Sequence, residues 1–272
     1  MTAQGSGRNG MESGGRRSRT PYSPQRQQVI LRTLRRQGRV DVADLAEELA
    51  VTGETIRKDL IGMEAKGLLV RVHGGAVPVG DHSFEPDVAV RTEFAEEKHR
   101  IAVAAAAHLP VAGSILIDAG STTGRLVSEI PEGRELTVFT NALQIAIELL
   151  ERPQVTVYPL GGRLRRQTVA TVGPWTYRLL EELNVDVAFL GTNGISLERG
   201  LTTPDPAEAQ AKALMAKAAA RRILLADHSK FDRVSLVKHA DLSDIDLIIT
   251  DTGLPPEVAE RLRANGVEVQ QV

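Results

Sequence analysis

The chain has 272 residues, 42% hydrophobic, 3% aromatic and 25% charged, with a formal net charge of −2. That length accommodates one large or two unequal domains around an aliphatic core. The absence of cysteine excludes a disulfide framework and thiolate chemistry, and no apolar run reaches membrane-spanning length, since the best candidate, Ile101 to Ile117, is interrupted by His108 and Pro110.

The near-neutral total conceals an asymmetry. Residues 1–80 carry 13 basic and 8 acidic side chains, a net +5, and the remainder carries 20 and 27, a net −7. A basic N-terminal part on an acidic remainder suits a DNA-binding head on a body that phosphate repels. The N-terminus has no apolar signal core. A cytoplasmic protein without membrane contact is expected.

Residues 1–22 are rich in Gly, Ser and Arg and are expected to form a disordered tail. Ser23-Pro24 then opens a helix with a capping residue and a proline at the first position. Val29, Ile30, Leu31 and Leu34 give it a buried face, and Gly38 ends it. Asp41 is placed to cap a second helix, Val42 to Leu49, with Leu45 and Leu49 inward. Thr52 offers an N-cap to a third helix reaching about Lys66, with Gly67 in the position after its end.

In that third helix Ile56, Leu60 and Met63 form a buried stripe. Thr55, Arg57 and Lys58 therefore face away from it. Hydroxyls and a guanidinium suit base edges, and an ammonium suits a phosphate. Leu68 to Val77 follows as a strand pair turning at Gly74-Gly75, a wing that carries Arg71 and His73 toward the DNA backbone or minor groove. Any one of these cations is more simply a solvated surface charge. The set Thr52, Thr55, Arg57, Lys58, Arg71 and His73, at this spacing, points to duplex DNA.

Pro78 to Pro86 reads as a linker, so residues 23–78 are taken as a winged helix-turn-helix domain, 79–87 as the connection and 88–272 as a second domain. From Val88 strand-like and helical segments alternate, implying an α/β domain with a mostly parallel sheet covered on both faces. Ligands in such sheets bind at the carboxyl ends of strands. The loop after the first strand is Asp118-Ala-Gly-Ser-Thr-Thr-Gly124, expected to open a helix from Thr122 to Ile130. Gly120 allows close approach of a ligand, and Ser121, Thr122 and Thr123 offer hydroxyl and N–H groups to an anion. Ordinary helix capping is the competing account. Further strand-end loops hold Thr140 and Asn141, Gly161 and Gly162, Gly191, Thr192 and Asn193, and Lys230. Glu208 and Lys212, four apart, read as an i, i+4 ion pair.

The run TIRKDLIGMEAKGLLVRVHGGAV resembles the DNA-binding signature of the DeoR family of bacterial transcription regulators, with Gly53 where the family usually has a polar or charged residue. The segments EEKHRIA, ILIDAGSTTGRL, FTNALQIA, PLGGRL, FLGTNGIS, GLTTPDPAEAQAK and ADHSKFDRVS resemble that family's effector domain. The resemblance implies a repressor of carbohydrate metabolism genes, a fold similar to ribose-5-phosphate isomerase, and a phosphorylated sugar as effector. It also implies ligand roles for Asp118, Gly120, Ser121, Thr122, Thr123, Thr140, Asn141 and Lys230. A double-stranded operator and a homo-oligomer are the expected partners, with no metal and no cofactor. An isomerase carrying a DNA-binding appendage is the alternative; it needs a carboxylate where the chain has Gly191-Thr192-Asn193-Gly194, leaving Asp118, Asp205 and Asp227 as possible bases.

Overall fold

The computed structural model describes residues 23–37, 39–72, 74–78, 85 and 87–272. The expected tail, His73 and most of the expected linker lie outside the described residues. The chain divides into two units after residue 79.

The first unit contains α1 (Ser23–Gln37), β1 (Val40–Asp41), α2 (Val42–Glu48), α3 (Gly53–Glu64), β2 (Val70–Val72) and β3 (Gly75–Val77). Ile30, Leu34, Leu45, Leu49, Ile56, Leu60 and Met63 form its core, so each of the three helices buries the stripe its periodicity indicates. The wing is a three-stranded antiparallel sheet with β3 in the centre, because Val40 and Asp41 add β1 to the expected hairpin. A side chain at Gly75 would place Cβ 1.9 Å from the Val40 carbonyl oxygen, so the pairing requires glycine there. Leu69 is buried and Leu68 exposed, the strand beginning only at Val70.

Of the two expected helix caps, one forms and one does not. Thr52 caps α3, its hydroxyl accepting from the Thr55 N–H at 3.2 Å. Asp41 sits at the N-cap of α2 without a capping bond and pairs instead with Arg39 at 2.8 Å. The sequence reading missed Asp59, buried on α3, which takes Arg26 through both carboxylate oxygens, at 2.6 and 3.2 Å, and the Ser23 hydroxyl at 2.8 Å. This pair ties α3 to α1.

The second unit runs α4 (Ala95–Ala106), β4 (Ala112–Ile117), β5 (Glu135–Thr140), α5 (Leu143–Leu149), β6 (Val155–Pro159), β7 (Arg163–Arg165), β8 (Ala170–Val172), α6 (Pro174–Glu181), β9 (Val185–Leu190), β10 (Gly194–Ser196), β11 (Gly200–Thr203), α7 (Pro206–Lys217), β12 (Ala219–Leu225), β13 (Val237–Ala240), β14 (Leu247–Thr250), α8 (Pro256–Ala264) and β15 (Glu268–Gln271). Seven strands form one parallel sheet in the order β15-β14-β12-β9-β4-β5-β6. Alternate residues feed opposite layers. Ile115, Ile117, Val187, Phe189, Ile223 and Ile249 pack on one face, and Leu116, Ala188, Leu190, Leu224 and Ile248 on the other.

The expected helix Thr122 to Ile130 is instead a 3₁₀ turn, Thr123–Val127. Two β-branched threonines, Gly124 and the following Pro131 give this stretch poor helix propensity. The hairpin β7-β8 and the small sheet β10-β11-β13 were not foreseen.

Candidate functional site

The outward face of α3 and its cap carry four of the residues expected to read DNA. Thr52, Arg57 and Lys58 are exposed and Thr55 is half-buried, with the two threonine hydroxyls 2.9 Å apart. Arg57 is 3.7 Å from Glu54 on an open surface, a pair weak enough for DNA phosphate to displace. Arg71 is held on the wing by Glu64, which accepts from its side-chain Nε at 2.8 Å and its backbone N–H at 2.9 Å. Ile61 is exposed on the same face as Arg57 and Lys58, an apolar group suited to a thymine methyl.

In the second unit, strand order reverses between β4 and β9, where α/β sheets open a crevice. Asp118 follows β4 and Gly191 follows β9, and the Gly191 N–H donates to Asp118 Oδ2 at 3.0 Å. Lys212 of α7 donates to the same oxygen and to the Gly191 carbonyl at 3.1 Å. Lys212 is therefore the partner of Asp118, and Glu208 bonds Arg165 at 3.1 Å and the Thr168 hydroxyl. The expected i, i+4 pair is corrected: in both cases a buried partner on another element outcompetes the neighbour one turn away.

Asn141 and Thr140 support this loop. Asn141 Oδ1 accepts the Ala119 N–H at 3.1 Å, and the Thr140 hydroxyl donates to the Ile117 carbonyl at 2.7 Å. Thr123 folds its hydroxyl onto the Gly120 carbonyl at 3.2 Å. Among the described residues, the N–H groups of Gly120, Ser121 and Thr122 meet no acceptor.

Lys98 lies within electrostatic reach of Lys230, Arg125 and Arg91. Lys98, missed in the sequence, is 4% exposed and donates to the carbonyls of Arg91 at 3.2 Å and Glu93 at 2.7 Å. Burial, with repulsion from Lys230, Arg125 and Arg91, pushes its ammonium below the ordinary lysine value against the pull of Asp227. Lys230 is lowered likewise, by burial first and then by Arg233 and Arg91. Asp227 gives one oxygen to the Ser229 hydroxyl and N–H, while its buried Oδ2 has no partner.

The remaining expected residues lie at the same sheet edge with other tasks. Gly161 and Gly162 follow β6, two strands from the crevice, and Cβ at Gly162 would fall 2.2 Å from the Thr176 hydroxyl. The Thr192 hydroxyl meets His239 Nε2 at 3.1 Å. Asn193 donates to Glu85 at 2.9 Å and accepts from Thr203 at 2.9 Å. His228, also missed, is fixed by Asp251 through Nδ1 and its backbone N–H, both at 2.7 Å.

Residues 26–80 match the DeoR-like helix-turn-helix domain, and residues 93–252 match the DeoR C terminal sensor domain. The chain belongs to the DeoR family of transcription regulators. It is 40% identical to the HTH-type transcriptional regulator GlpR of Haloferax volcanii over 84% of this chain and 89% of that protein. It is 36% identical to a putative aga operon transcriptional repressor of Escherichia coli O157:H7 over 95% and 97%. A solved ribose 5-phosphate isomerase A from Methanocaldococcus jannaschii aligns at 16% identity over 49% of this chain and 53% of that one, with a TM-score of 0.37, too loose to bear on the site. As a DeoR-family regulator the chain binds DNA. Among the described residues no helix is long and apolar enough to cross a membrane, and no cluster of three or more His, Asp or Glu suits a metal ion.

Proposed function

We propose that this DeoR-family regulator represses genes of carbohydrate metabolism and that a phosphorylated sugar, bound in the crevice between β4 and β9, sets its operator affinity. The observation that carries the reading is the meeting of a buried Lys98 and a half-buried Lys230, each with its ammonium pKa lowered, at the sheet edge that also carries the loop whose Gly120, Ser121 and Thr122 N–H groups have no acceptor among the described residues. Crowded cations in a poorly solvated place gain from an anion. The Asp118 carboxylate, charge-balanced by Lys212, accepts a sugar hydroxyl in this reading.

Residues 23–78 read DNA through Thr52, Thr55, Arg57, Lys58, Arg71 and His73, and residues 88–272 sense. Repression is the activity named for the aga operon relative and for AccR of Agrobacterium fabrum, 32% identical over 88% of this chain. A helix-turn-helix reads paired half-sites as a dimer, so a homo-oligomer acting on the cytoplasmic chromosome is the working form. The chain is a sensor in this reading: Gly191 to Gly194 offers no carboxylate, Asp118 is committed to Lys212, Asp205 caps α7 and pairs with Arg165 at 3.2 Å, and of the three candidate bases Asp227 alone keeps a buried oxygen without a partner. A thermal-shift screen of pentose and hexose phosphates beside the unphosphorylated sugars tests it. Stabilisation by phosphorylated members alone is expected, and equal response to the free sugars overturns the anion site.

A further inference from the structure

The chain passes from the DNA-binding unit to the sensor through residues 79–94, and the described part of that segment is fastened by unusually strong contacts for a connection. Glu85, its carboxylate 2% exposed, is bound by Arg91 at 2.7 Å, by Arg165 at 2.5 Å and by the Asn193 amide at 2.9 Å. The Val88 N–H donates to the Gln167 carbonyl at 2.6 Å. Lys98 closes the set from α4 by holding the carbonyls of Arg91 and Glu93. Phe94, in the left-handed region at φ 57°, lies edge-on to the His228 ring with centroids 4.7 Å apart.

One group that holds this strap, Lys98, also belongs to the anion site. Lys98 spends its ammonium on the strap backbone, and Arg91, paired with Glu85, lies within electrostatic reach of both Lys98 and Lys230. Asn193 shares the β9 loop with Gly191, which touches Asp118. We propose that Glu85 and residues 87–94 form a strap which competes with the anionic effector for Lys98, so that effector binding is transmitted as release of the segment joining the two units. The inference rests on the phosphate reading of the crevice.

Competition supplies the differential affinity that any ligand-driven change requires. A phosphate on Lys98 draws its hydrogen bonds away from the Arg91 and Glu93 carbonyls. By linkage, loosening the strap strengthens anion binding. Damage to a merely structural contact would leave anion binding unchanged or weaken it.

The test uses the full chain and inorganic phosphate. Glu85→Gln removes the charge that holds Arg91 and Arg165; Val88→Pro removes one strap N–H and alters no charge, so it separates strap release from a simple change of potential. Titration calorimetry is expected to show phosphate binding at least threefold tighter in both variants. Hydrogen exchange in the wild type should show the amides of residues 88–94 exchanging faster once phosphate is added. If phosphate binds, but both variants match the wild type and the strap amides keep or gain protection, the strap inference is overturned and the anion site stands. If the wild type binds neither phosphate nor any sugar phosphate, the anion site is wrong and the competition falls with it.

Discussion

Lys212 on α7 reaches the carboxylate of Asp118 at the end of β4, and the same ammonium takes the Gly191 carbonyl at 3.1 Å. One side chain thereby closes the switch point of the sheet, since Asp118 and Gly191 directly follow the two strands that flank it. Both charged groups are buried. Removing one partner leaves the other charge uncompensated, which costs about 3–5 kcal/mol. Lys212→Met is expected to lose stability on that scale, and Lys212→Met with Asp118→Asn to recover a good part of it. Urea unfolding of the two singles and the double settles the coupling; strictly additive losses would mean that the pair does not interact.

The DNA-reading surface makes a separable claim for Arg57 and Lys58. Arg57→Ala should cost about 1–3 kcal/mol and relax sequence preference if the guanidinium reads a base edge. Lys58→Ala should weaken all duplexes alike and flatten the salt dependence by about one counterion. Fluorescence anisotropy on a duplex selected by the wild-type chain, at several salt concentrations, distinguishes the two. An unaltered double variant would remove α3 from the interface.

Much of this organisation was legible because local pattern and tertiary environment agree. The parallel strands are buried on both faces, so Ile115–Ile117 and Leu247–Ile249 appear as unbroken apolar runs. The pieces β7, β10, β13 and β15 are short, and their pairing partners are set by the tertiary fold, so nothing local announces them. The sequence pointed to the strand-end loops and Lys230 of the candidate site, and it hid the burial of Lys98 and the true partner of Lys212. Lys98 looks like part of a solvated EEK turn, yet it stands in phase with Ile101, Ala102 and Ala105. Asp59 lies in the stripe of Ile56, Leu60 and Met63, and Lys212 shares the buried face of α7 with Glu208 and Met215. A charge in register with an apolar stripe is the signal that would have found all three, because such a residue is buried and must be paired.

His239 gives the sensor a pH signature. Burial, and secondarily the Lys212 ammonium, push its pKa down to about 3 from an ordinary 6.5. The folded state therefore keeps it neutral, while the unfolded chain takes up a proton below pH 6.5. Its stabilisation is complete above that pH and is lost as pH falls, by about 2 kcal/mol between pH 7.5 and 5. His239→Gln, which can still meet Thr192, should remove that part of the slope. Glu208, whose pKa is raised by burial and by Glu85, acts with the opposite sign, but it is common to both proteins and cancels in their difference. Denaturant midpoints across this range check it, and parallel pH curves for the two proteins would count against a neutral buried imidazole.

The effector loop yields the last expectation. With only a 3₁₀ turn at Thr123–Val127, a helix dipole contributes little, and the attraction for an anion falls to the N–H groups of Gly120, Ser121 and Thr122 and to Lys98 and Lys230. Replacing Ser121 and Thr122 with Asp puts negative charge where a phosphate belongs in this reading. Thr123, whose hydroxyl holds the loop, is untouched; because Thr122 is buried, a melting curve and duplex binding beside the wild type check that the variant is folded, and Ser121→Asp alone serves where it is not. It should bind the strongest sugar phosphate from the screen at least tenfold more weakly, and it should stay on DNA when that ligand is added: a repressor that no longer responds. Lys230→Met should weaken the same ligand while leaving the loop intact. Titration calorimetry on the wild type and both variants decides between two placements. Loss in both supports a phosphate between the loop and the lysine, whereas full affinity in the Asp variant with loss in Lys230→Met would move the phosphate to the Asp227–Lys230 side of the crevice.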